Sequence, residues 1–250
     1  MMERVACITG ATSGIGRATA RLLLGNGFRV VACGRRADRL ESLRKEFGDR
    51  VHTLAFDVRD RRAVEAALGS LPPEFARVDT LVNNAGNAHG LDPIQEGDPD
   101  DWDAMIDINV KGLLYVTRAL LPALRASGRG HILNIGSTAG KEVYPKGNVY
   151  CASKHAVDAL NTAFRIDLHG EGIRVGAIHP GLVETEFSAV RFKGDSDRAA
   201  TVYRGFEPLT AEDIAGIVWF ALSQPAHVNI ADLVVMPTAQ ASSTLVDRRT

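Results

Sequence analysis

Tyr150 and Lys154 stand four residues apart in a stretch, 150–168, whose apolar spacing predicts a long helix. That spacing puts both side chains on one helix face. A free phenol titrates at about 10 and is a poor base at neutral pH. A neighbouring ammonium favours the phenolate. Such a pair can take the proton from a substrate hydroxyl, or return one to a carbonyl oxygen. Ser137 precedes the pair and follows a short apolar run. From there a hydroxyl could hydrogen-bond the same substrate oxygen and orient it.

A second group of residues suits an anion. The run Gly10-Ala11-Thr12-Ser13-Gly14-Ile15-Gly16 follows an apolar segment and opens a helical one. Glycines there let the backbone turn tightly and approach a pyrophosphate, with helix N–H groups facing the charge. The second apolar segment ends in Gly34-Arg35-Arg36, with no acid at its end. A carboxylate there would accept from a ribose 2′-hydroxyl, whereas arginine forks suit a 2′-phosphate. The expected cofactor is therefore NADP. Asp38, the nearest acid, reads as a helix N-cap or first-turn residue.

The elements that must position these groups are legible as a pattern. Apolar runs at 5–9, 29–33, 51–56, 80–83, 131–135, 174–179 and 232–236 alternate with segments of helical spacing. That alternation predicts a single α/β domain over 1–250: a doubly wound, seven-stranded parallel sheet of Rossmann type with helices on both faces. Ligands then bind at the C-terminal strand ends, near the switch in strand order. The segment 180–208 lacks clear periodicity, and a loop of that length suggests a lid over the substrate.

Composition excludes other classes. The formal net charge of −1 offers no case for nucleic acid or an anionic membrane surface. Nowhere do 18 apolar residues run without a charge, so no membrane span is expected. Neither does the N-terminus have signal-peptide shape. Cys7, Cys33 and Cys151 have no zinc-site spacing and suit a reducing cytoplasm. His89, His131, His155 and His179 show no ligand spacing either, so no metal is expected; His179, before Pro180, could tune the site or simply pack.

The glycine spacing Gly10-x3-Gly14-x-Gly16 departs from the commoner G-x-G-x-x-G and resembles the loop of short-chain dehydrogenases/reductases. Asn83-Asn84-Ala85-Gly86, Asn109, Ser137, Tyr150-x3-Lys154 and Pro180-Gly181 follow in the order of that family. The resemblance implies that Thr12, Ser13 and Ile15 join the glycines at the cofactor, that Asp57 and Val58 flank its adenine, and that Asn84, Ala85, Gly86, Pro180, Gly181, Val183 and Thr185 line the rest. Asp57 could instead cap the helix after Arg59. The resemblance also implies that Lys154 holds the nicotinamide ribose, and that Asn109 carries a water joining the lysine to solvent. It implies a homotetramer, with helices near 101–124 and 150–168 pairing between subunits.

Within the family, Gly34-Arg35-Arg36, the stretch 134–140, Gly147-Asn148-Val149-Tyr150, the stretch 190–195 and Pro225-Ala226-His227-Val228-Asn229-Ile230 look like the bacterial NADP-dependent 3-hydroxy acid dehydrogenases. That subgroup includes serine 3-dehydrogenase and allo-threonine dehydrogenase. It implies hydride transfer between NADP and a small 3-hydroxy acid or its semialdehyde. Arg191 is the expected anchor for the substrate's acidic end, with Lys193 the alternative cation. Sulfoacetaldehyde reductases resemble the same subgroup, which leaves a sulfonate open. A non-catalytic NADPH sensor is the reading from another class.

Overall fold

The computed structural model describes residues 3–249. Met1, Met2 and Thr250, which the expected single unit also spans, lie outside the described residues. Strands β1 (Val5–Thr9), β2 (Arg29–Gly34), β3 (Val51–Ala55), β4 (Thr80–Asn83), β5 (His131–Ile135), β6 (Arg174–Pro180) and β7 (Asp232–Val235) form one sheet. Its order is β3-β2-β1-β4-β5-β6-β7, and every neighbouring pair runs parallel. Four strand ends move by one residue from the expected bounds. Ladder pairing decides there: Gly34 pairs with Ala55, and Pro180 with Val235.

Successive residues of β1 go to opposite faces. Ala6 and Ile8 join one core with Leu23 and Leu24 of α1 (Gly14–Gly25), Leu40 and Leu43 of α2 (Ala37–Phe47), and Ile214 and Val218 of α9 (Ala211–Leu222). Val5 and Cys7 join the other, with Val64 and Leu68 of α3 (Arg61–Gly69) and Val116, Leu120 and Leu124 of α5 (Leu113–Ala126). Two-sided cover is why the strands read as unbroken apolar runs. Each Val, Leu or Ile among them, fully buried, contributes roughly 1.5–3 kcal/mol. Cys7 and Cys33 pack across β1 and β2 with their sulfurs 3.6 Å apart, as buried thiols.

Two expectations about helices need correction. The segment near 101–124 is not one α-helix: α4 (Pro99–Ile106) passes through a π-helical turn, Asp107–Gly112, before α5 begins. The stretch 180–208 is not structureless. It contains α7 (Phe187–Arg191) and α8 (Ser196–Thr201), each too short to print a period on the sequence. Helix α6 (Asn148–Asp167) starts two residues before Tyr150. The chain passes from β1 outward to β3, then returns to β4 on the other side of β1. The switch point therefore lies between β1 and β4, above their C-terminal ends.

Candidate active site

A cleft of about 530 Å³ opens over the switch point, a size suited to a small-molecule ligand. At one end lies the glycine turn. A side chain at Gly16 would collide with the Gly10 carbonyl oxygen and the Asn84 amide, so only glycine lets α1 start so close to β1. Asn84 holds this turn, its Nδ2 donating to Thr9 O at 2.9 Å and Gly10 O at 3.4 Å. The N-cap Ser13 makes no side-chain cap bond, and the first turn of α1 has no acid. The helix entrance thus faces the cleft with its N–H groups unopposed by a carboxylate. Gly10, Thr12, Ser13, Gly14 and Ile15 all line it, as do Asn84, Ala85 and Gly86 after β4.

The arginines after β2 sit where expected, but they already have work. Arg36 donates from Nε and Nη2 to Thr12 Oγ1 and from Nη2 to Ser13 Oγ, at 2.7–3.3 Å. Its Nη1 meets the Glu186 carboxylate at 2.8 Å, and Arg39 meets the other oxygen at 2.6 Å. Hydrogen bonds from these two arginines hold Glu186 below the ordinary carboxylate range. Arg35 lies 3.9 Å from Asp57. Burial pushes the Asp57 carboxyl up, but hydrogen bonds and charge from Arg59, with the charge of Arg35, more than offset it. Asp57 and Val58 line the cleft beside Phe56. Asp57 does not cap α3; Asp60 does, accepting from the backbone of Arg62 and Ala63. Asp38 lies in the first turn of α2.

At the other end the structure gathers Ser137, Tyr150 and Lys154. Ser137 follows β5, and its Oγ accepts from Ala139 N at 3.1 Å. Tyr150 and Lys154 share one face of α6, both buried. Lys154 Nζ donates to Ile135 O at 3.0 Å, and burial lowers its pKa to about 8. Tyr150 departs from the expectation of an acidified phenol. Burial raises it well above the ordinary value, and nearby Tyr144 adds to this; the Ser137 hydroxyl and the Arg191 charge oppose it. The main cause is burial: the phenol ring lies in an apolar wall with Phe187, 5.7 Å between ring centres. A neutral phenol is a proton donor.

Asn109 lies in the π-helical turn, buried. Its Oδ1 accepts from Asn87 N, and its Nδ2 donates to Asn87 O and Ser153 Oγ, all at 2.8–2.9 Å. Ser153 Oγ in turn donates to Tyr150 O. Asn109 therefore ties the segment after β4 to the start of α6, bracing both Tyr150 and Lys154. Turns of this kind often mark functional sites.

Arg191, on α7, reaches the cleft. It donates to Gly90 O at 3.1 Å and to the Tyr144 hydroxyl at 3.0 Å, and its guanidinium lies 5.5 Å from the Tyr150 ring centre. Lys193, the alternative cation, does not line the cleft: it pairs with Asp101 at 3.0 Å and Asp98 at 3.6 Å. Pro180, Gly181, Val183 and Thr185 form the wall between the two ends. Sequence reasoning missed Tyr144, Glu186, Gln240 and Ser243, which also line the cleft. Gln240 and Ser243 come from the C-terminal segment and carry no local signal. Away from the cleft, Asp158, His179 and Asp232 gather with the Lys141 ammonium between the carboxylates.

Comparison with known proteins places this geometry among relatives. A family model described as short chain dehydrogenase matches residues 4–195. The chain is 49% identical to NADP-dependent 3-hydroxy acid dehydrogenase YdfG of Salmonella typhi, covering 94% of this chain and 96% of the relative. It is 47% identical to sulfoacetaldehyde reductase 2 of Chromohalobacter salexigens, covering 99% of this chain and all of the relative. Among solved structures, the closed form of serine dehydrogenase complexed with NADP+ superposes with a TM-score of 0.94 at 46% identity, covering 98% of this chain and all of that one.

Proposed function

Since the chain belongs to the short chain dehydrogenase family, we propose that it is an NADP-dependent oxidoreductase acting on a small 3-hydroxy acid or the corresponding semialdehyde. One observation carries the reading: Ser137, Tyr150 and Lys154 meet at one end of a cleft whose other end is the glycine turn with Arg35 and Arg36. The residues fit the cofactor. Glycine at position 16 lets α1 start close against β1, the helix N–H groups there suit a pyrophosphate, and the arginines suit a 2′-phosphate. When bound, the nicotinamide supplies or accepts the hydride.

The chain's own groups do the rest. Thr12, Ser13, Gly14 and Ile15 cradle the pyrophosphate, while Asp57 and Val58 flank the adenine. Asn84, Ala85, Gly86, Pro180, Gly181, Val183 and Thr185 close around the remainder. Lys154 holds the ribose with an ammonium at the margin of its titration. Tyr150 holds the transferable proton at its hydroxyl and gives it to the substrate oxygen when a carbonyl is reduced. Ser137 orients the substrate oxygen. Arg191 binds the acidic end, its planar fork matched to a carboxylate and stiffened by Tyr144.

A sulfonate substrate is the second reading, favoured by the near-complete match to a sulfoacetaldehyde reductase. A spectrophotometric panel of serine, allo-threonine, 3-hydroxypropionate and 2-hydroxyethanesulfonate with NADP separates the two. Turnover of the carboxylates, lost in Arg191→Met while an uncharged secondary alcohol is spared, supports the first. Tight NADPH binding without turnover of any of them identifies a sensor instead. The protein is further read as a cytoplasmic homotetramer. Exposed Ile166 on α6 and Phe220 on α9 need cover, and the three cysteines are thiols. No helix among the described residues is long and apolar enough to cross a membrane. A monomeric mass by light scattering at micromolar concentration would sink the oligomer.

A further inference from the structure

The turn that carries Ser137 rests on a histidine. His179 is fully buried near the end of β6. Its ring lies against Gly136, where any side chain would run into Nδ1. The backbone is clamped at the same place, Gly136 N donating to Ile178 O at 2.7 Å. Nδ1 faces the Ser137 carbonyl at 3.3 Å. On the other side Nε2 faces Asp232 of β7 at 2.5 Å and Asp158 of α6 at 3.6 Å. Lys141, just after the 138–140 turn, bridges both carboxylates at 2.6 and 2.8 Å. These are the charged groups that face the ring. Asp158 also lies one turn beyond Lys154 and two beyond Tyr150 on α6, so the cluster adjoins the chemistry without entering the cleft.

Both ring nitrogens thus face oxygen acceptors. A neutral imidazole can donate to only one of them, whereas the imidazolium donates to both. The Nδ1 contact with the Ser137 carbonyl puts the neutral ring's proton on Nδ1, so an unprotonated Nε2 faces Asp232 and makes no hydrogen bond to it. The charged ring holds Asp232 and Ser137 together.

We propose that His179 is a positioning residue for Ser137, with its protonation tightening the tether between the Asp158–Asp232 pair and the catalytic turn. Fixing the Ser137 carbonyl fixes the rotation of the residue that carries the hydroxyl. Burial lowers the proton affinity of His179, the two carboxylates restore part of it, and Lys141 opposes them. The tether is therefore strongest on the acid side of the ordinary histidine range. The inference rests on Ser137 being the substrate-orienting hydroxyl.

The test is the pH profile of kcat for carbonyl reduction in wild type, His179→Asn and Ser137→Ala, with NMR titration of the His179 ring. In wild type, kcat should rise ~2- to 10-fold on protonation, the worth of one net hydrogen bond. Its midpoint should match the NMR midpoint and lie below about 6.5. His179→Asn should lose that ionisation while NADP Kd is unchanged. A profile identical to wild type in His179→Asn, with Ser137→Ala strongly impaired, overturns the positioning role alone. An unimpaired Ser137→Ala overturns the reading of Ser137 itself. Should His179→Asn not fold, Asp232→Asn carries the test. It removes an exposed carboxylate that favours the charged ring, so the kinetic midpoint should move to lower pH; an unmoved midpoint rejects the tether.

Discussion

The two ends of β5 bury titratable groups in opposite settings. At its start, His131 is fully buried, and neither ring nitrogen has a hydrogen-bond partner among the described residues. Burial, with the charges of Arg174 and Arg4, pushes its pKa down to about 3. At its end, the Ile135 carbonyl accepts from Lys154, which burial brings to about 8. The same physical cause acts at both ends. Only at the C-terminal end does the shifted value lie near working pH, and only there does the group face a cleft. His131 is held neutral and inert; Lys154 is held charged at a cost. A perturbed pKa therefore points to function when it comes with access and a usable range, not by its size.

The sharpest way to break this contrast is at the active end. Tyr150→Phe keeps the packing against Phe187 and removes the transferable proton, so turnover should fall by ~1000-fold or more while NADP binding stays near normal. Retention of more than about a tenth of the rate would show that the proton comes from elsewhere.

Lys154→Met should abolish turnover and yet stabilise the fold at neutral pH. An unfolded lysine titrates at 10.5 and the folded one at about 8. Below 8 both states are protonated and the full penalty applies; between 8 and 10.5 the unfolded chain binds more protons, so wild-type stability recovers as pH rises. The gain in Lys154→Met should be on the order of 1–3 kcal/mol at pH 7, measured by denaturant unfolding without cofactor, and should vanish above about 10.5. A destabilised variant at pH 7 would mean that the Ile135 bond outweighs desolvation.

At the inert end the sign is reversed. The unfolded His131 takes up a proton below 6.5, whereas the folded one waits until about 3. Its contribution to stability is fully present above 6.5 and drains away as pH falls, by up to about 1.4 kcal/mol per pH unit. His131→Gln should flatten that part of the acid-unfolding curve and leave kcat untouched. An unchanged slope would place the acid sensitivity in other groups.

The smallest effects belong to the two ends of β2. Replacing Arg36 by methionine should weaken NADP binding ~10- to 100-fold and spare NAD, because a charge-assisted bond to phosphate is lost. Arg29, at the start of the strand, pairs with Glu3 at 2.7 Å near the surface. Arg29→Met should cost no more than about 1 kcal/mol of stability and leave both cofactors alone. Equal losses of NADP and NAD affinity in Arg36→Met would contradict a phosphate site.

What the sequence revealed follows from how local each cause is. The seven strands were legible because cover on both faces imposes continuous apolarity. The glycine turn and the Tyr150–Lys154 pair were legible because their constraints span a few residues. Less visible was everything held by distant partners. Helices α7 and α8 are one or two turns long and owe their place to the wall they lean on. Asn109 looks like any helical polar residue until the π-helical turn aims it at Asn87. Gln240 enters the cleft from the C-terminal segment, where Leu182 donates to its side chain across the fold. The burial of the Tyr150 phenol, against Phe187 from a distant helix, was likewise beyond local reading.

Glu186 gives the arginines after β2 a second allegiance. Arg36 and Arg39 hold its two oxygens, and Glu186 is the N-cap of the short helix that presents Phe187 and Arg191 to the substrate end. On the proposed roles of Arg36 and Arg191, cofactor preference and substrate grip are thus coupled through Glu186. A lineage that exchanges Arg36 to accept NAD also unpins α7, so descendants that switch cofactor should carry a compensating change at Glu186 or Arg39. An engineer who alters Arg36 alone should find the altered protein weaker toward the proposed hydroxy acid than the lost phosphate contact explains.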